Sequence, residues 1–200
     1  EDMNNPRERS IIPACDISLP QHLSVVANTH DLHYVSGYKV GFSLGLGYGL
    51  PTVVQATREI TDKPLIYDHQ KAGTDIPDTG FIFAKTLRQA GIDRVILFPQ
   101  AGPTTAEAWI KACQDEHLDV IVGLVMTHPT YLYTEGGYIH NFWRLYEDAY
   151  LLGVRNFVIP GNNEPLMKEI RGMLKDPENR FMAPGAKKPS HHIDDYIMGR

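Results

Sequence analysis

A chain of 200 residues that is 42% hydrophobic and 22% charged can enclose one sizeable core, so a single domain over 1–200 is expected. A formal net charge of −5, with lysines and arginines scattered along the chain, offers no basic field for a nucleic-acid backbone and excludes nucleic-acid binding as a leading function. Cys15 and Cys113 each lie in an apolar stretch and suggest neither a disulfide framework nor a thiolate metal site. The start, 1–10, is polar, and the longest strongly apolar run, 120–126, is far too short for a bilayer. A soluble cytoplasmic protein without membrane contact is the expectation.

Along the chain, short runs rich in β-branched residues alternate with stretches of helical period, the pattern of βαβ units around a parallel sheet. A strand at 10–15 precedes a helix at 19–29, a strand at 34–40 precedes a helix at 51–61, and a strand at 64–67 precedes a helix at 79–90. Strands at 94–98, 120–125 and 156–159 precede helices at 104–116, 138–152 and 163–174, and strands at 180–183 and 196–198 complete the set. Gly91 and Gly153 fall just past helix ends, and Pro51 and Pro103 at helix starts. This punctuation predicts an α/β fold, a (β/α)8 barrel of the TIM type, with its site at the carboxyl ends of the strands. An open doubly wound sheet is the alternative, but no GxGxxG follows the first strand, and Gly45-Leu46-Gly47-Tyr48-Gly49 follows the second without opening a helix in that pattern. Residues 184–195 are roughly the minimum for a crossover, so a seventh helix is missing there. The barrel is abbreviated or lacks segments near its last two strands.

If the barrel is right, polar residues just past the strands converge. Asp16 follows the first strand, Lys39 lies near the end of the second, and Asp68, Lys71 and Asp75 follow the third. Thr127 and His128 follow the fifth, Asn162 the sixth, Pro184 and Gly185 the seventh, and Gly199 and Arg200 the eighth. Each has a plainer reading. Asp16 alone reads as a turn or cap residue, Lys39 as an edge-strand lysine, and Asp68-x-x-Lys71-x-x-x-Asp75 as a solvated charged loop. The shared strand-end location favours a site. The nine histidines form no HExxH or other tight ligand pattern, so no metal site is expected, and a P-loop and a GxSxG elbow are both absent.

The stretches IIPACDIS, YKVGFSL, YDHQKAGTDIPDT, GLVMTHP, FVIPGNNEPLMKEIR, APG and YIMGR resemble, in this order, the motifs of the orotidine 5′-phosphate decarboxylase family, from about residue 10 to residue 200. The third-strand cluster followed by Ile76-Pro77-x-Thr79 is the most specific part. The resemblance implies a carboxy-lyase of pyrimidine biosynthesis that needs no cofactor or metal, takes orotidine 5′-phosphate as its small-molecule substrate, and works as a homodimer with shared sites. It implies that Asp16 and Lys39 bind ribose hydroxyls and extend a charge network, and that Asp68 and Lys71 face the departing carboxylate. Asp75 and Thr79, with Ile76 between them, would reach the site from the neighbouring subunit. Thr127 stands where the family usually has Ser, touching the pyrimidine. Arg200 would grip the phosphate beside the backbone of Pro184, Gly185 and Gly199.

Two departures accompany the likeness. The family's cluster is Asp-x-Lys-x-x-Asp, one residue shorter in each gap, so a bulge is expected here, with His69 or Gln70 able to enter the site. Ala186-Lys187-Lys188 replaces the family's Gln-Gly-Gly run. Two other readings stay open: a magnesium-dependent sugar-phosphate decarboxylase or hexulose-phosphate synthase of the same superfamily, and a barrel that binds nucleotide without turnover.

Overall fold

A computed structural model describes residues 10–69 and 72–184 and the backbone of 195–199. Its elements run β1 (Ser10–Cys15), α1 (Leu19–Thr29), β2 (Tyr38–Gly41), α2 (Phe42–Tyr48), α3 (Leu50–Arg58), β3 (Leu65–Asp68), α4 (Thr79–Gln89) and β4 (Arg94–Leu97). There follow α5 (Pro103–Asp115), β5 (Asp119–Gly123), α6 (Phe142–Leu151), β6 (Asn156–Val158), α7 (Glu164–Met173), β7 (Arg180–Ala183) and β8 (Asp195–Gly199). The strands close into a barrel in sequence order. From β1 to β7 every neighbouring pair is parallel, as expected for the TIM type.

The eighth strand departs from that plan. β8 runs antiparallel to both of its neighbours, β1 and β7. Only residues 184–194 precede it, and a parallel return needs a crossover of a dozen or more residues, usually with a helix. The chain therefore doubles back. Gly199 pairs with Phe181 and Met198 with Ser10, which puts Gly199 at the amino end of the barrel, away from the mouth where substrate was expected. Its predicted place in the phosphate site is corrected accordingly.

Alternation along the strands sorts side chains into two layers. Ile12, Ile66, Ile96, Ile121, Val158 and Met182 point inward and pack with Phe98 into a central plug. Tyr38, Val40, Leu65, Tyr67, Val95, Leu97, Val120, Val122 and Phe157 point outward and pack in the larger core that includes helix residues such as Val26, Val53, Ala84, Trp109 and Tyr146. The Tyr146 hydroxyl reaches through that layer and donates to Val158 O at 2.7 Å, tying α6 to β6.

Two helices differ from the sequence expectation. α2 begins directly at the end of β2, on a Gly-rich stretch with poor helix propensity; Leu44 is buried beneath it, and Gly45 packs close to Leu50 and Tyr67. α6 starts four residues later than predicted because the Asn141 side chain accepts from Arg144 N and caps it there. Among the described residues no helix is long and apolar enough to cross a membrane.

One histidine in the outer layer makes stability depend on pH. His22 is fully buried, with Nε2 2.8 Å from Thr57 Oγ1. That hydroxyl gives its own proton to Val53 O, so the ring donates from Nε2. Burial pushes its pKa from 6.5 down to about 4. The unfolded chain binds the proton first as pH falls, so this contribution is complete above about 6.5 and is lost between there and about 4. Urea unfolding should show a fall of about 2 kcal/mol between pH 7 and pH 5 that His22→Gln removes; equal slopes in the two proteins would contradict this assignment.

Candidate active site

The site begins with an exception to the apolar plug. Tyr38 and Val40 belong to the outer layer, so Lys39 between them must point into the barrel, where it pairs in register with Ala14 on one side and Ile66 on the other. Asp68 shares the inward parity of Ile66 and lies at the carboxyl end of β3, opposite Gly41. Both side chains are buried, at 3% and 2% exposure, and Lys39 Nζ sits 2.8 Å from Asp68 Oδ2. Asp16, just past β1, adds a second carboxylate 3.6 Å from the same ammonium, half in solvent. Gly41 makes this possible, because a Cβ there would stand 2.4 Å from Asp16 Oδ1.

Beside Asp68 a cavity of about 130 Å³ opens at the carboxyl ends of the strands. Thr127 and Pro184 line it with Asp68, and Ile96, Phe98, Val125, Met126 and Val158 supply an apolar wall. The structure thus gathers five of the sequence-predicted residues at one mouth: Asp16, Lys39, Asp68, Thr127 and Pro184. The apolar wall was not singled out from sequence, although the inward parity of Ile96 and Phe98 contained it. Met126 both packs on the plug and faces the cavity.

Other predicted residues stand apart. Asp75 is exposed and its carboxylate accepts from Ile76 N at 2.8 Å. The Thr79 hydroxyl donates to Ile76 O at 2.8 Å, and Trp109 Nε1 donates to the same carbonyl at 3.0 Å. This segment opens α4 on the outer surface, with Ile76, Phe81 and Ile82 all more than half exposed. His69 does not turn into the site: its Nδ1 lies 2.6 Å from the hydroxyl of Tyr67, whose ring belongs to the outer layer. Gln70, Lys71, Gly185 and Arg200 lie outside the described residues.

Cys15, next to Asp16, is buried as a neutral thiol. Burial first, then the Asp16 carboxylate, push its thiol up to about 12 against a smaller opposing pull from Lys39. Among the described residues no group of three or more His, Cys, Asp or Glu side chains is arranged to hold a metal ion.

No protein-family model matches the chain. Curated sequences do: the orotidine 5′-phosphate decarboxylase of Pyrococcus abyssi is 29% identical over 183 residues, 88% of this chain and 81% of that protein. The enzyme of the same name from Methanococcoides burtonii is 28% identical over 195 residues, 96% of this chain and 84% of that protein. The chain is a relative of the orotidine 5′-phosphate decarboxylases. In fold it is similar to the crystal structure of orotidine 5′-monophosphate decarboxylase from Methanocaldococcus jannaschii complexed with the inhibitor BMP, with a TM-score of 0.74 at 24% identity over 90% of this chain and 79% of the other. The corresponding protein of Pyrococcus horikoshii OT3 gives the same TM-score and identity over 88% of this chain and 79% of that one.

Lys39 lies within ion-pair distance of both Asp16 and Asp68. Their unequal burial separates their energetic roles. Lys39→Ala takes a cation from beside a buried carboxylate and should cost about 3 kcal/mol in urea unfolding. Asp16→Ala removes a carboxylate that is 56% exposed and should cost less than about 1 kcal/mol. Equal losses would mean that burial does not set the strength of this pair.

Proposed function

We propose that this protein is an orotidine 5′-phosphate decarboxylase, releasing CO2 from orotidine 5′-phosphate to give UMP in cytoplasmic pyrimidine biosynthesis. The observation that carries the reading is the buried Lys39–Asp68 pair at the mouth of a closed barrel, in a chain whose curated relatives bear that name. Breaking the bond from C6 to the carboxylate leaves the electron pair on C6, with no adjacent group to take it up. A fixed cation must stabilise that charge. In this reading the Lys71 ammonium does so and then gives C6 its proton. Asp68 puts negative charge beside the substrate carboxylate, and the repulsion is relieved as neutral CO2 forms. Asp16 and Lys39 hold the ribose hydroxyls, Thr127 meets the pyrimidine, and Arg200 with the backbone near Pro184 and Gly185 takes the phosphate. No metal or organic cofactor takes part.

The exposed Asp75, Ile76 and Thr79 belong in this reading to the site of a second subunit. Their position on the outer surface, beside exposed Phe81 and Ile82, supports a homodimer in which that apolar patch is covered. Two inactive variants would then complement each other. Mixed after co-refolding, Lys71→Ala and Asp75→Ala should recover about a quarter of wild-type turnover, since half the dimers are mixed and each carries one intact site. Activity that stays at the level of the separate variants would show that Asp75 does not cross between subunits.

The primary test follows the absorbance loss of orotidine 5′-phosphate with and without EDTA. Rapid turnover unaffected by EDTA, and lower by several orders of magnitude in Lys71→Ala with UMP binding retained, is the expected result. EDTA-sensitive turnover of a sugar phosphate would favour the magnesium-dependent reading. Tight UMP binding without decarboxylation would favour a barrel that only binds nucleotide.

A further inference from the structure

The loop after β6 touches two of the cavity's loop-borne segments without lining the cavity itself. Asn162 Nδ2 donates to the backbone carbonyl of Thr127 at 2.8 Å, across 35 residues of sequence. One residue earlier, Gly161 N donates to Pro184 O at 2.8 Å. Thr127, with Val125 and Met126, comes to the cavity from the segment after β5, and Pro184 from the segment after β7. Neither is held there by the sheet, because β5 stops at Gly123 and β7 at Ala183. The 161–162 segment is thus a bracket joining the loops on either side of it.

The Asn162 side chain is exposed and makes no other hydrogen bond among those described. Its neighbour Asn163 acts elsewhere, where its side-chain oxygen accepts from Leu166 N and caps α7. Adjacent residues of the same type therefore separate two kinds of effect, one on a loop at the cavity and one on a helix end.

We infer that Asn162 is a positioning residue for the decarboxylation, holding Thr127 at the cavity where the substrate's ring would lie. The inference rests on the function proposed above. Without the Asn162 amide the segment around Thr127 loses its cross-loop tether and samples positions in which the hydroxyl no longer faces the ring. Binding of the ring is weakened, while the charge network on β2 and β3, which shares no bond with Asn162, is untouched.

The experiment measures kcat, KM for orotidine 5′-phosphate, the UMP dissociation constant and the thermal midpoint for four proteins besides wild type. In Asn162→Ala, KM and the UMP dissociation constant should each rise about 5- to 30-fold, with kcat changed less than about threefold and the midpoint nearly unmoved. Thr127→Ala should show a similar loss, and the double variant Asn162→Ala/Thr127→Ala should be no worse than Thr127→Ala alone. Asn163→Ala should lower the thermal midpoint and leave KM as in wild type. Additive losses in the double variant, or a lowered midpoint with unchanged KM in Asn162→Ala, would overturn the inference. A wild-type protein that neither decarboxylates nor binds UMP would instead overturn the function on which it rests.

Discussion

The ion pair between Lys39 and Asp68 inside the barrel is the constraint around which the remaining structure is arranged. Removing an ammonium and a carboxylate from water costs several kcal/mol for each ion, and only a partner at hydrogen-bond distance makes the burial tolerable. The 2.8 Å contact meets that condition. It also fixes register. If β2 slid by one residue against β3, Lys39 would turn into the outer layer and Tyr38 into the plug, so the pair and the two apolar layers require the same alignment. The isoleucines around and below the pair on β1, β3, β4 and β5 provide dry surroundings in which fixed charges act strongly.

Above the pair, the mouth is built from loops tied to one another. Gln100, after β4, donates to the Tyr131 hydroxyl in the long segment after β5, and Tyr133 and His140 in that segment stack at 3.7 Å between ring centroids. Asn162 and Gly161 continue the sequence of ties toward Thr127 and Pro184. A cavity of about 280 Å³ is lined by these same loops, among them Pro99, Gln100, Tyr138 and His140, together with Leu124 and Arg144. The strands hold the charges, and the loops shape what reaches them.

The segment that follows β3 is anchored on either side of residues 70–71. At its start, His69 is turned outward and tied to Tyr67. At its end, the Ala72 carbonyl accepts from Phe98 N at 2.9 Å, and Gly73 takes a φ of +87° against Pro99, where a Cβ would come within 2.7 Å of the proline ring. Only glycine meets both demands at once. Past Gly73 the Asp75 segment is exposed on the outer surface.

Much of this was legible in the sequence because it depends on local periodicity. β1, α1 and β7 have the predicted bounds, since a strand reads as alternation and a helix as three- and four-residue spacing wherever the chain is punctuated by Ser18, Gly or Pro. The candidacy of Asp16, Lys39, Asp68 and Thr127 followed from their places at strand ends. The sequence left open whether Lys39 faced solvent or the interior, because the flanking Tyr38 and Val40 are apolar either way. Closure of the barrel decided it, by assigning those two residues to the helix-facing layer. Tertiary structure also decided that α2 forms despite its glycines, that His69 faces outward and that Asn162 bonds Thr127. The direction of β8 was settled by the same closure: a span as short as 184–194 does not carry the chain back for a parallel strand, yet the barrel edge between β1 and β7 still needs hydrogen-bond partners.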